Sequence, residues 1–318
     1  MRVVITGGAG FLGLRLARAL DARGRLGGEA IEEILLLDLA PPPPAAGALP
    51  ALARFEQADL SDPAAAAQAA AGPGPLALYH LASMVSAESE RDFDAAIRVN
   101  LLGGLALFQA LKARGDAPRV VFASSVATFG GPMMSDTTKQ VPANSYGMTK
   151  AALELILNDM SRKGFLDGRT ARLPTVIVRP GRPNAAASAF ASGLFREPLA
   201  GQEHRLPVAP STRILVSGYG SVVESLVRLA EIPGESLGLD RAVTFPSLSV
   251  SAQEMLDCLK RVGAGRRLGP VVPAYDPAID AIVASWPQQG EFQRALDLGL
   301  AADSDLDTIV RQYLADYP

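Results

Sequence analysis

The chain has 318 residues, 48% hydrophobic and 20% charged, which suits one large α/β domain or two modest ones and argues against disorder. A formal net charge of -3 offers no basic footprint for nucleic acid or an anionic membrane, and no apolar run reaches the ~18 residues of a spanning helix. One Cys and two His exclude a disulfide framework and leave little for a metal centre; with no secretory signal, the chain reads as a soluble, cytoplasmic globule.

Residues 2–6 (RVVIT) are a short β-branched run met at once by glycines, and 11–23 place Leu12, Leu16, Ala19 and Leu20 on one helical face. The run 31–38 (IEEILLLD) predicts a second strand, whose continuous apolar core suits a parallel sheet covered on both faces. Prolines 41–44 and the Ala/Pro/Gly stretch to 50 make a surface loop. Strands are then predicted over 54–60, 76–82, 119–125 and 175–181, separated by helices over 61–71, 92–113 and 146–163. This alternation implies right-handed βαβ units and a Rossmann-type, doubly wound parallel sheet. Beyond 181 the pattern changes to a loop at 185–193, helices over 217–231 and 251–262, and a strand start at 271 broken by prolines. The chain thus divides into a nucleotide-binding domain over 1–180, rejoined by segments around 210–235, and a smaller substrate subdomain over 181–318.

The first chemical motif is Thr6-Gly7-Gly8-Ala9-Gly10-Phe11-Leu12-Gly13, placed between a strand and a helix. In that context Gly7 permits the tight turn, Gly10 lets backbone approach a pyrophosphate, and Gly13 lets the helix pack closely on the strand. The helix N-terminus offers free N–H groups to phosphate. Asp38 ends the second strand, where an acidic residue accepts hydrogen bonds from both adenosine ribose hydroxyls; no Arg follows it to welcome a 2′-phosphate, so NAD is favoured over NADP. Asp59 and Leu60, after the third strand, lie where adenine would be contacted.

The second motif is Tyr146-x-x-x-Lys150, which puts a phenol and an ammonium on one helical face. A nearby cation is expected to lower the phenol's pKa. Ser125 ends the strand RVVFASS, and the carboxyl ends of central strands in open α/β sheets are where ligands bind. Together TGGAGFLG, Asp59-Leu60, His80-Leu81-Ala82, Asn100, SSVATFG (124–130), Tyr146-x-x-x-Lys150 and Arg179-Pro180 resemble an extended short-chain dehydrogenase/reductase, over residues 3 to about 184. The resemblance implies NAD held by Gly7, Gly10, Phe11, Leu12, Gly13, Asp38, Asp59, Leu60, Leu81, Ala82 and Ser83, together with Tyr146 and Lys150. It implies Tyr146 as acid/base, Lys150 on the nicotinamide ribose, and Ser125 orienting the substrate oxygen, with Ser124 the adjacent alternative. Asn100 either supports the proton relay or bonds buried backbone. Phe129, where the family often has Tyr, removes a hydroxyl from the expected substrate pocket.

The stretches 161–169 and 179–203 resemble the D-erythronate dehydrogenase branch of that family, whose members oxidise the C2 hydroxyl of a four-carbon sugar acid with NAD. A small aldonate substrate is therefore expected, its carboxylate clamped by Arg182, or less well by Arg196, with Ser83, Ser125 and Tyr146 around its hydroxyls; Ser86 is a lesser candidate. The alternatives are a nucleotide-sugar epimerase/dehydratase of the same fold and a non-catalytic NAD-sensing scaffold. The resemblance implies a homodimer. His80, His204, Cys258 and Trp286 are read as core or loop residues without a chemical role.

Overall fold

The computed structural model describes residues 1–181 and 186–317 and builds them around a sheet of seven parallel strands. In chain order the strands of the two larger sheets are β1 (Arg2–Thr6), β2 (Glu33–Asp38), β3 (Ala53–Gln57), β4 (Leu76–His80), β5 (Arg119–Ser125), β6 (Asp167–Leu173), β7 (Thr175–Ile177), β8 (Arg213–Gly218), β9 (Ala242–Thr244) and β10 (Leu248–Ser251). The large sheet has the order β9-β6-β5-β4-β1-β2-β3; β7, β8 and β10 form a separate three-stranded sheet. Thr6 lies opposite Leu37 of β2 on one side and His80 of β4 on the other. The chain first winds outward through β2 and β3, then crosses back to β4, so strand order reverses at β1. That reversal opens a crevice at the carboxyl ends of β1 and β4.

Side-chain alternation along β1 fills both faces. Val3 and Ile5 pack with Leu16 and Leu20 of α1 (Phe11–Arg23), while Val4 packs on the opposite side with Leu35, Leu37 and Leu78. The first face is covered by α1 and by α6 (Tyr219–Glu231). The second is covered by α2 (Pro63–Ala70), α3 (Gly103–Ala113) and α4 (Ser145–Arg162). Two further helices, α5 (Ala189–Leu199) and α7 (Ala252–Val262), stand beyond the small sheet, and α7 starts on the Ser251–Glu254 capping box.

Four expectations need correction. The strand that follows β5 in the large sheet is DGRTARL, β6, not TVIVRPG, whose first residues form β7 of the small sheet. Arg169 and Arg172 disguise β6 as surface, yet both are buried and partnered. The helix expected over 92–113 contains a π-helical stretch, Ile97–Leu102, between Phe93–Ala96 and α3. This 21-residue rod is long and apolar enough to cross a membrane by length and composition, against the expectation that no run is. Its Leu107, Phe108 and Leu111 are buried against Val120, Phe122, Leu153 and Leu157. Finally, α5 begins inside the segment read as a loop at 185–193.

Arg169 reaches under the sheet to the end of α6, where one guanidinium nitrogen donates to the carbonyls of Leu229 (3.0 Å), Ala230 (3.0 Å) and Ile232 (2.6 Å). A helix end leaves carbonyls without intrahelical partners, and a buried cation is a fitting cap. Arg169→Met is expected to cost about 3–5 kcal/mol, as when one partner of a buried ionic group is removed. Urea unfolding with an unchanged midpoint would refute that role.

His80 is packed face to face with Phe122 (centroids 5.5 Å apart) and shares a 2.8 Å hydrogen bond with Thr6 Oγ1 through Nδ1. Burial, helped by the Lys150 charge, pushes its pKa down to about 3. The unfolded chain takes this proton near pH 6.5, so between about 6.5 and 3 the unfolded state binds more protons and stability falls as pH drops. The contribution should approach ~1.4 kcal/mol per pH unit in that window. His80→Gln is expected to flatten the curve; identical slopes for the two proteins in chemical denaturation would disprove the assignment.

Candidate active site

The glycine loop leaves no room for side chains where the expected ligand would lie. Gly7 has φ 69°, and a Cβ on it would stand 2.8 Å from the amide nitrogen of Ala82. A Cβ on Gly13 would stand 2.4 Å from the Gly7 carbonyl oxygen, so α1 can start close to the loop only with glycine there. Gly10 is the N-cap of α1 and supplies no side chain, which leaves the first-turn amides open toward the crevice. Asp38 completes this end: one carboxylate oxygen accepts from the Ala9 N–H (3.1 Å) and the other from the Leu39 N–H (2.8 Å). Bare amides for a pyrophosphate beside a fixed carboxylate for ribose fit a dinucleotide.

A cavity of about 730 Å³ runs from this loop along the carboxyl ends of the strands. Its cofactor end is lined by Gly7, Gly10, Phe11, Leu12, Gly13, Asp38, Asp59 and Leu60; the loop after β4 adds Leu81, Ala82 and Ser83. The far end holds Ser124, Ser125, Tyr146 and Lys150, then Arg179, Ser192, Arg196 and Trp286. Every expected site residue thus faces one space except Arg182, which lies outside the described residues.

Strand alternation separates the two serines. Ser124 is buried and its hydroxyl donates to Glu154, which also accepts from Gln140 Nε2 (2.8 Å) and Arg172 Nε (2.9 Å). Ser125 is the partly exposed one; its Oγ accepts from the Ala127 N–H at 3.1 Å. Asn144 starts α4 by accepting the Gly147 N–H at 2.8 Å, which places Tyr146 and Lys150 in the first turns. A Cβ on Gly147 would stand 2.0 Å from the Ala127 carbonyl oxygen, so α4 comes up tight against the Ser125 turn.

Lys150 is 2% exposed and donates from Nζ to the Ala123 carbonyl at 2.9 Å; burial pushes its pKa down to about 7. The expected lowering of the Tyr146 pKa by Lys150 is not found. Burial pushes the phenol up to about 12, and the groups that pull it back are Arg179, by charge, and Ser125 and Ser83, by hydrogen bonding. The ammonium is turned toward Ala123 and lies 5.6 Å from the centre of the tyrosine ring.

Asn100 bonds backbone. Its Oδ1 accepts the Met84 N–H (2.7 Å) and its Nδ2 donates to the Met84 carbonyl (3.2 Å), pinning the loop that carries Ser83. Ser86 Oγ accepts from the Ala187 N–H at 3.3 Å. Phe129 is fully buried outside the cavity, in a cluster with Val126, Met134 and Leu215, so its missing hydroxyl does not alter the pocket. His204 is buried on a short strand beside Glu197, and Cys258 is buried in the core with its thiol pKa pushed up by burial. Trp286, expected to have no chemical role, lines the cavity. No local pattern marks it, because it arrives from a distant segment. Arg179, by contrast, lies inside the predicted strand run 175–181, two residues past the observed end of β7, and is legible only as part of a motif.

Comparison with known proteins gives the family. Residues 3–221 match the model of the NAD dependent epimerase/dehydratase family. The chain is 45% identical over 323 residues to a D-erythronate dehydrogenase of Cupriavidus necator, covering 99% of this chain and 98% of that protein. It is 35% identical to a D-erythronate dehydrogenase of Haemophilus influenzae, covering 99% of each. Among solved structures, a nucleoside-diphosphate-sugar epimerase from Agrobacterium tumefaciens superposes with a TM-score of 0.89 at 37% identity, over 100% of this chain and 94% of that one. The chain belongs to the NAD dependent epimerase/dehydratase family and is an NAD-dependent oxidoreductase with a Rossmann-type fold.

Proposed function

We propose that the protein oxidises the C2 hydroxyl of a small aldonic acid, D-erythronate to 2-dehydro-D-erythronate in the closest reading. The observation that carries this is a phenol, a serine and a buried lysine sharing one cavity with a dinucleotide cradle. Likeness over the whole chain to two D-erythronate dehydrogenases supports the substrate. NAD, when bound, supplies the hydride acceptor. Gly7, Gly10, Gly13 and the α1 amides would hold its pyrophosphate, and Asp38 its adenosine ribose. Phe11, Leu12, Asp59, Leu60, Leu81 and Ala82 would line the rest of its path.

The chain's own part is to bind, orient and move a proton. Ser125 and Ser83 orient the substrate oxygen against Tyr146, and Tyr146 Oη accepts the hydroxyl proton as C2 becomes a carbonyl. Lys150 has three N–H donors and gives one to Ala123, leaving two for the nicotinamide ribose. The epimerase reading keeps one specific support, the 37% identical structure named above. The two separate by product: D-erythronate with NAD should release NADH and a 2-keto acid. Tight binding of a UDP-sugar with no NADH release would overturn the proposal. A homodimer belongs to the same reading, supported by Leu102 and Leu155, exposed on α3's approach and on α4.

Tyr146→Phe preserves the ring and deletes the proton acceptor, so kcat should fall roughly 10²-fold or more while NAD binding survives. In the wild type kcat/KM for oxidation should rise with pH, since phenolate is the accepting form and burial holds the phenol high. Near-normal turnover of Tyr146→Phe would remove Tyr146 from the chemistry.

Asp38 should favour NAD strongly over NADP, because a 2′-phosphate would meet a carboxylate already fixed by two backbone amides. Asp38→Ala is expected to narrow the ratio of kcat/KM values mainly by weakening NAD. Equal efficiencies of the wild type with both cofactors would refute this.

A further inference from the structure

We infer that Arg179 is the seat of the substrate's carboxylate, and so the residue that restricts the site to 2-hydroxy acids; this rests on the reading just proposed. The buried arginines of this fold, Arg169, Arg172 and Arg196, are occupied. Arg169 caps α6, Arg172 pairs with Glu154, and Arg196 pairs with Glu197 while donating to the Arg179 carbonyl at 2.8 Å. Arg179 differs. Its main chain is held on both sides, the N–H by Ser192 Oγ (3.0 Å) and the carbonyl by Arg196. Arg179 is half-buried and lines the cavity, and among the described residues no side chain accepts a hydrogen bond from its guanidinium or pairs with its charge.

A sequestered cation without a counter-charge is costly, and here the Arg196 charge beside it raises that cost. An anionic ligand group relieves it. The position selects which anion: Arg179 lines the same cavity as Tyr146, the group facing the reacting oxygen, and the two act electrostatically on each other. In a 2-hydroxy acid the carboxylate is bonded to the carbon that bears the reacting hydroxyl, so its seat must adjoin the phenol. A planar guanidinium with two parallel N–H donors matches a carboxylate in that place. Arg196 serves less well, because its charge is paired with Glu197 and three of its five N–H donors go to Glu197 and the Arg179 carbonyl.

The test is calorimetric binding of D-erythronate, and of the neutral polyol erythritol, to the NAD-loaded protein, alongside steady-state kinetics. Arg179→Gln should weaken D-erythronate about 10–100-fold, leave NAD affinity within about twofold, and leave the weak binding of erythritol unchanged. Arg179→Lys should recover part of the loss, since an ammonium keeps the charge and loses the two-point contact. Unchanged D-erythronate affinity in Arg179→Gln, or an equal loss for acid, polyol and NAD, overturns the seat while leaving the dehydrogenase reading standing. If the wild type binds D-erythronate through Arg179 but releases no NADH with it, the seat holds and the proposed reaction falls. If the wild type binds no D-erythronate, both fall.

Discussion

The close backbone packing at the carboxyl end of β1 is the constraint on which the site depends. Gly13 starts α1 within reach of the Gly7 carbonyl, and Gly7 lies against the Leu81–Ala82 backbone, with no space for a Cβ at either. That contact draws three things to one point: the open amides of α1, the Asp38 carboxylate tied to Ala9, and the loop after β4 that carries Ser83. The strand-order reversal at β1 provides the crevice, and the glycines let backbone rather than side chains form its floor.

The same economy of contact recurs at the chemical end. Gly147 lets α4 lie against the Ala127 carbonyl, which brings Tyr146 and Lys150 up to the end of β5. Behind them, Glu154 gathers Ser124, Gln140 and Arg172, one helical turn beyond Lys150. Such a satisfied buried network rigidifies what it touches. It holds the strand end so that Ser125, the next residue, is presented to the cavity. Asn100 does the equivalent work on the opposite wall by bonding both polar groups of the Met84 backbone.

Charge is distributed with a similar division. The cations and anions buried in the scaffold find partners, whereas the cavity gathers Lys150 and Arg179 with few. Burial lowers the lysine and raises the tyrosine, so the free protein holds a phenol well above neutral pH beside a lysine near it. In a sequestered site desolvation outweighs a cation more than 5 Å from the ring, which is why spacing along a helix mispredicted the direction of the tyrosine shift.

The doubly wound sheet, the glycine cradle, Asp38 and the Tyr146–Lys150 pair were legible in the sequence, because each rests on contacts between residues a few positions apart or on a strand's own apolar run. Period, turn chemistry and i,i+4 spacing are local. What the tertiary structure alone decided is of another kind. The strand β6 hides behind Arg169 and Arg172, whose charges become tolerable only when α6 carbonyls and Glu154 arrive from elsewhere in the chain. The choice between Ser124 and Ser125 waited on which face of β5 meets Glu154. Trp286 enters the cavity from a segment far from the motifs, and Arg179 stands out only by comparison with the partners its fellow arginines have found. Local patterns specify elements; burial and long-range pairing, which set the energy of every charged group, exist only once those elements are packed.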